Sequence, residues 1–353
     1  MIEEELRAAF ARHEGLAPDA APTRRAIDKA VVRRKRRRMG AVAAAGAFTL
    51  FVGIGAPLAA AGHVRPPDVI GQFLPKPVGD DRDGPVTLLV LGIDGDNGSH
   101  RADTVMVVHM PADGDTAYVL SLPPDLRVEV PGKGRARLSE AFFFGSYRQG
   151  AAPDFAAGTD VTAATVTAAT GLSIDGTITL RYGGLRRLTD AIGGVRVCLD
   201  RPVTSRHTGR EFPAACQQLD GSAAVDLLRQ RYGLPNGTYD RDANGRIFAR
   251  ALLERATGGG VLTNPVRMND LLRAAGQGLT VRGGVSAVRL AGLAGDVDDL
   301  VPVDIGSTYR PETLGGIGYE RLDEERSVPV FEAIRADELP DFVADHPEVV
   351  GQR

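Results

Sequence analysis

The chain has 353 residues with 42 Lys/Arg and 45 Asp/Glu, a formal net charge of −3, and no Trp. The balance hides a split: residues 1–38 hold eleven Lys/Arg and six Asp/Glu, net +5, so the remainder carries −8. An acidic remainder of this size supports a substantial core and argues against DNA as its partner.

Residues 3–13 read as a short amphipathic helix, acids at its N-terminus and bases near its C-terminus as the helix dipole favours. Pro18 and Pro22 break it, and a second helix resumes over residues 23–38. It ends in the cation run Arg33 to Arg38, followed by twenty-four uncharged residues from Met39 to Gly62. A helix of that length crosses a hydrocarbon core of about 30 Å, and the cation cluster keeps its own end cytoplasmic. Cations in this position also suit anionic headgroups. The rival is a secretory signal peptide with Ala59-Ala60-Ala61 as its cleavage site. About 38 residues before the apolar run are too many for that reading. The expectation is a cytoplasmic segment 1–38, a single transmembrane helix 39–62, and a Pro- and Asp-rich linker 63–84 that lifts an extracytoplasmic domain off the membrane.

From Val86 the pattern is that of an α/β domain. Val86 to Gly92 is a continuous apolar run, the mark of a buried central strand. Strands follow over Thr104–Met110 and Thr116–Leu122, separated by a turn at residues 111–115. A helix is expected over 159–170 with Asp160 as N-cap and Gly171 as its stop. Then come a strand at 174–180, a helix at 183–191 stopped by Gly193-Gly194, a strand at 195–199, and helices at 221–229 and about 246–257. Beyond Gly258-Gly259-Gly260 the signal weakens to helices at 264–277, 286–293 and 328–335, with edge strands at 301–303 and 316–319. Cys198 and Cys216, both placed outside by this topology, predict a disulfide; the alternative is two separate buried thiols.

The chemistry concentrates near the first strand pair. Asp94 follows strand one, Asp103 precedes strand two, and Arg101 lies between them. Facing carboxylates suit a hard divalent cation, and an adjacent guanidinium suits a phosphate oxygen. Arg229 and Arg231, alternate residues of a segment read as extended, would point the same way and clamp a pyrophosphate. Asp240 and Arg241 are expected in a loop after Pro235-Asn236-Gly237. The six His are scattered, with His109 read as structural, and there is no Ser/His/Asp triad, Walker loop, Cys/His zinc spacing or HExxH.

These segments occur in an order that resembles the LytR-CpsA-Psr family, also described as cell envelope-related transcriptional attenuators. Those that carry the resemblance are Leu88 to Asp94, Arg101 to Met106, Leu122 to Asp125, Val128 to Gly132, Asp190 to Val195, Ala215 to Gly221 and Arg229-Gln230-Arg231. The resemblance covers roughly residues 85–260, leaving 261–353 as a C-terminal extension packed on the same domain. It implies an α/β/α sandwich with a central mixed sheet. It further implies a Mg²⁺-dependent phosphotransferase that moves a glycan phosphate from a polyprenyl-pyrophosphate carrier to a peptidoglycan hydroxyl. Asp94 and Asp103 match the metal-side acids. Arg101, Arg229 and Arg231 match the pyrophosphate-binding arginines. Arg137 matches a basic residue that is often a Lys, and Asp240 and Arg241 match an Asp-Arg pair. A lipid tail would need an apolar channel, for which Phe142-Phe143-Phe144 is a candidate beside a plain core role.

Four departures stand out. Pro124 replaces the Arg of a Pro-Arg-Asp motif, with Arg127 as a possible substitute, and Asp96 reverses a charge. Arg137 replaces the Lys, and Gly245-Arg246-Ile247 replaces an Arg-Gln-Gln-like run. Two readings remain open: an enzyme with an attenuated site, or a relative that binds polyprenyl-linked glycans or regulates envelope assembly without turnover. A transcriptional regulator is opposed by the outside, acidic domain and the lack of a helix-turn-helix.

Overall fold

The structure is a computed structural model that describes residues 84–351 except 95–99, 113, 262–263, 286, 304, 306–309 and 315. The segments expected to be cytoplasmic (1–38) and membrane-spanning (39–62), all but the last residue of the expected linker, and Asp96 lie outside the described residues. Among the described residues no helix is long and apolar enough to cross a membrane.

In chain order the elements begin with β1 (Val86–Asp94), β2 (Arg101–Met110), β3 (Thr116–Ser121), β4 (Arg127–Val130), β5 (Gly134–Arg137), α1 (Leu138–Ser146), α2 (Phe155–Thr170), β6 (Gly176–Arg181) and α3 (Tyr182–Ala191). Next come β7 (Val195–Cys198), β8 (Val203–Thr204), β9 (Glu211–Phe212), β10 (Cys216–Leu219), α4 (Gly221–Leu228), α5 (Thr238–Gly258) and α6 (Pro265–Ala275). The chain closes with β11 (Leu279–Gly283), α7 (Ala287–Asp296), β12 (Asp299–Val303), β13 (Arg310–Leu314), β14 (Ile317–Arg321), α8 (Glu324–Ala336) and α9 (Leu339–Asp345).

The fold is mixed α/β. Its central sheet has the order β11-β6-β1-β2-β3-β12. β1 pairs antiparallel with β2 and parallel with β6, which places the apolar strand at the middle of the sheet. Both faces of β1 are covered. Leu89, Leu91 and Ile93 enter a core with Phe142 of α1, Val166 of α2 and Phe331 and Ile334 of α8. Leu88 and Val90 face the other way, toward residues of α7 and α5. Each such fully buried side chain stabilises the fold by about 1.5–3 kcal/mol. His109 of β2 is structural: it is buried, its Nδ1 lies 3.0 Å from Thr87 Oγ1 and its Nε2 lies 3.3 Å from Asp337.

A second cluster forms a lobe beside the sheet from α3, α4, the start of β7, Phe212 of β9 and Phe248 of α5. Here β7 and β10 pair as a separate two-stranded sheet, in which Cys216 faces Cys198 and the two form a disulfide.

Several boundaries differ from the sequence reading, each for a physical reason. α2 starts at Phe155, because the Asp154 carboxylate accepts from Ala157 N at 3.0 Å and caps the helix earlier. Asp160 instead forms a two-pronged pair with Arg282, at 2.8 and 2.9 Å. α5 starts eight residues before 246, at Thr238. Its first turns bury Arg241, Asp242 and Asn244, so an apolar period is silent there. Asp240 and Arg241 are therefore helical, not looped. Residues beyond 260 do more than pack on the domain: β11 and β12 are the two edge strands of the central sheet. Phe142 is fully buried in the core, while Phe143 meets the Phe144 ring edge-on and the Tyr147 ring at a tilt.

Candidate functional site

The C-terminal end of β1 opens into a cavity of about 260 Å³. Asp94, Arg101 and Asp103 line it from the strand pair, Arg229, Arg231 and Arg241 from the lobe, and Pro124, Asp125 and Arg137 from a third wall. Ser139, Tyr182, His207 and Tyr232 complete the lining. Five guanidiniums thus face three carboxylates, a surplus of positive charge that suits a polyanion.

The strand wall is built by a bulge. Register steps from Gly92 opposite Thr104 to Ile93 opposite Ala102, so Asp103 is the extra residue of β2. A bulge of this kind re-aims a side chain, here bringing Asp103 into the cavity with Asp94. Gly92 makes it possible: a Cβ there would lie 2.9 Å from Thr104 Cβ. Asp94 is paired on one side only. Its Oδ2 lies 3.7 Å from Arg229 Nη2, while its Oδ1 is buried without a hydrogen-bond partner. Burial pushes the Asp103 carboxyl above the usual range; Arg241 draws it back and Asp94 raises it further. Arg101 is more exposed and donates to Glu140 Oε1 at 3.3 Å.

The lobe wall is held by buried polar groups that the sequence reading missed. Residues 229–231 are a turn rather than an extended segment, since Arg229 is the C-cap of α4 with helical dihedrals (φ −86°, ψ −11°). Both arginines reach the same cavity because Gln230 between them is anchored inward, at 1% exposure. Its Oε1 accepts from Arg206 N at 2.8 Å, and its Nε2 donates to Ser205 Oγ at 3.0 Å and Asp226 O at 3.3 Å. Ser205 Oγ and Thr208 Oγ1 in turn donate to the Asp226 carboxylate. Arg229 also lies 5.6 Å over the ring of Tyr182, whose hydroxyl burial drives strongly away from ionisation. Arg241 is buried and donates to Asp242 Oδ1 at 3.3 Å; burial lifts the Asp242 carboxyl to about 6. Arg231 stacks on Tyr232, which is 63% exposed at the rim.

Three expected substrate-binding positions fare differently. Arg137 lines the cavity, with its Nε 3.4 Å from Asp125. Arg127, opposite it across the β4–β5 pair, lines a separate cleft with Leu126, Arg321 and Phe331, so it does not stand in for a cation at Pro124. Asp240 is not part of the lining: its carboxylate accepts from Asn236 N at 2.9 Å and pairs with Arg201 at 3.7 Å, which ties down the loop before α5. One signal was available in the sequence: a Gly inside a central strand marks a bulge or a close approach.

The model of the LytR_cpsA_psr family matches residues 64–308, and the chain belongs to this family. It is 37% identical over 250 residues to a probable cell wall biosynthesis protein, LcpB, of Corynebacterium glutamicum, covering 69% of this chain and 56% of the relative. It is 31% identical over 177 residues to a polyisoprenyl-teichoic acid–peptidoglycan teichoic acid transferase, TagU, of Enterococcus faecalis, covering 48% and 54% of the two chains. The chain thus spans about half the length of these curated relatives. Among solved structures, TagT bound to LI-WTA has a TM-score of 0.57 at 19% identity, over 74% of this chain and 94% of the other. TagU of Bacillus subtilis has a TM-score of 0.56 at 18% identity, over 72% and 96%. At that identity the likeness shows the fold: a mixed α/β domain with a central mixed sheet.

Proposed function

We propose that this LytR-CpsA-Psr protein is a membrane-anchored, extracytoplasmic phosphotransferase of cell wall assembly, with helices layered on both faces of its sheet as an α/β/α sandwich. Its donor is a polyprenyl-pyrophosphate-linked glycopolymer and its acceptor a hydroxyl of peptidoglycan. The observation that carries this reading is one cavity in which Arg101, Arg137, Arg229, Arg231 and Arg241 surround Asp94 and Asp103. The five cations exceed the three carboxylates of the lining by two, which matches the two negative charges that a disubstituted pyrophosphate spreads over its non-bridging oxygens. The curated relatives are named for cell wall biosynthesis and for teichoic acid transfer, which supports the same reading.

The residues also fit a divalent cation. Asp94 Oδ1 is a buried acceptor without a partner, and Asp103 shares its cavity. Among the described residues there is no cluster of three or more His, Cys, Asp or Glu that could hold a metal. Two carboxylates plus substrate phosphates are the donor set Mg²⁺ ordinarily takes. Asp94 and Asp103 would hold it, and when bound it would neutralise charge on the phosphate oxygens. The arginines do the rest. Arg229 and Arg231, fixed by Gln230, grip the pyrophosphate, and Arg241 adds a buried charge that needs no reorganisation. The acceptor hydroxyl attacks the phosphorus that carries the glycan, and the bond to the bridging oxygen breaks. Polyprenyl phosphate leaves with that oxygen and takes up the hydroxyl proton.

A test uses the full chain in detergent with Mg²⁺, a polyprenyl-pyrophosphate-linked saccharide and peptidoglycan fragments. Turnover is expected, and Asp103→Ala and Arg229→Ala are each expected to lower it by at least about a hundredfold. Absence of saccharide transfer, where an active relative transfers, would refute an enzyme. One observation favours a binding-only relative: Pro124 lines the cavity where the family resemblance expects a cation. In that case saccharide binds tightly without transfer, and Pro124→Arg restores turnover.

A further inference from the structure

The matched family region ends at residue 308, and the β13–β14 hairpin lies beyond it. This hairpin docks on the third wall of the cavity. Glu320 N donates to Asp125 O at 2.9 Å, and Glu320 forms a parallel bridge with Leu126. The docking brings two groups onto Arg137. The Gly318 carbonyl accepts from Arg137 Nε at 3.2 Å and from its Nη2 at 2.9 Å. The ring of Tyr319 lies 5.8 Å from the Arg137 guanidinium carbon.

The consequence follows from the geometry of an arginine. Its guanidinium is a rigid fork with five N–H donors. Two of them point at Gly318, the Nε edge is flanked by Asp125 at 3.4 Å, and the Tyr319 ring sits between this guanidinium and that of Arg127, its centre 5.8 Å from the one and 5.9 Å from the other. These contacts use the Nε and Nη2 donors of Arg137, which lines the cavity beside Pro124. A long side chain with many rotamers is thereby held in one. Pro124 supplies no charge, so Arg137 is the cation of this wall.

We propose that the β13–β14 hairpin is a working part of the phosphate site, with Tyr319 and the Gly318 carbonyl as positioning groups that hold Arg137 against a pyrophosphate oxygen. The proposal rests on the phosphotransferase reading for the identity of the ligand. It assigns a role in that site to residues outside the matched family region. Tyr319 acts through Arg137 and does not touch the ligand itself.

The test titrates geranylgeranyl pyrophosphate, with Mg²⁺, into the full chain in detergent. Tyr319→Leu keeps apolar bulk but removes the aromatic face, and is expected to weaken binding about three- to tenfold. Tyr319→Phe keeps the ring and is expected to bind within about twofold of the wild type. Arg137→Ala is expected to weaken binding about tenfold or more, and adding Tyr319→Leu to it should cost nothing further. A folding defect alone would multiply the two losses instead, and would overturn the proposal. So would wild-type affinity in Tyr319→Leu, which leaves the phosphotransferase reading intact. If the wild type does not bind the probe at all, that reading fails and the role of Tyr319 fails with it.

Discussion

The two walls that face each other across the cavity are made in different ways. The strand wall places Asp94 and Asp103 at the end of the central sheet, where a bulge and a glycine set their direction. Its support is apolar packing on both faces of β1. The lobe wall places Arg229 and Arg231 on a turn, and its support is the buried network of Gln230, Ser205 and Asp226. Asp94 and Asp103 are thus fixed by core packing, and Arg229 and Arg231 by hydrogen bonds. The first kind of support tolerates change at many positions, because packing is shared among many side chains. The second depends on a few groups, each expensive to leave unpaired.

The largest test of this contrast is the Cys198–Cys216 disulfide, which closes a separation of 18 residues within the lobe. Reduction is expected to lower stability by about 3 kcal/mol in the chain-entropy model. The loss belongs to the lobe. Hydrogen exchange should therefore rise at amides of β7, β10 and α4 well before those of β1 and β2. Equal loss of protection in β1 would show that lobe and sheet unfold together, and the two walls would not be separate structures.

A closer comparison sets one residue of each wall against the other. Gln230→Leu removes the side-chain bonds to Arg206 N, Ser205 Oγ and Asp226 O. Leaving such groups buried and unpaired costs about 1–3 kcal/mol. Gly92→Ala puts a Cβ within 2.9 Å of Thr104 Cβ and strains the bulge, for about 1–3 kcal/mol by overpacking. Urea midpoints are expected to fall similarly in both. Their effects on ligands should separate. Gln230→Leu weakens pyrophosphate binding at any Mg²⁺ concentration, whereas Gly92→Ala raises the Mg²⁺ needed for it. Identical Mg²⁺ dependence in the two variants would overturn the separate support of the two aspartates and of Arg229 and Arg231.

This contrast also explains what could be read from the sequence. β1 and β2 were legible because a continuous apolar run has one simple solution, a strand buried on both faces. Asp94, Arg101 and Asp103 were visible as charges where such a strand ends. Arg229 and Arg231 were visible as a pair, but their conformation was not. A turn anchored by a buried Gln leaves no periodic mark, and its partners Ser205 and Arg206 lie more than twenty residues away. The start of α5 was hidden for the same reason, since Arg241, Asp242 and Asn244 are buried without being apolar. The β13–β14 hairpin gave a weak strand signal and no hint of its place, because a two-stranded ribbon is located by what it docks on. Arg127 and Arg137 are alike in sequence, yet only the fold shows that they line different cavities.

The smallest expected effect concerns the third wall, where the hairpin meets the cavity. Glu320 has one carboxylate oxygen, Oε2, buried without a hydrogen-bond partner. Burial lifts its carboxyl to about 7, with Asp125 and Asp242 raising it further and Tyr239 and Arg241 opposing the rise. The sign follows from proton binding. Between the ordinary carboxyl value and about 7 the folded chain holds a proton on Glu320 that the unfolded chain has released. Stability contributed by the protonated form is therefore fully present below the ordinary value and is lost as pH rises through about 7. Asp242 acts in the same direction over a lower range, up to about 6, so the window between 6 and 7 belongs mainly to Glu320. Glu320→Gln keeps the shape and removes the titration. Denaturant midpoints of the wild type should fall relative to this variant as pH rises from 6 to 8, with the two converging at low pH. A constant offset across that range would mean that Glu320 ionises normally in the fold. The hairpin would then be held to the cavity wall by Gly318, Tyr319 and the backbone bond from Glu320 N to Asp125 O, with no contribution from a neutral carboxyl against Asp125.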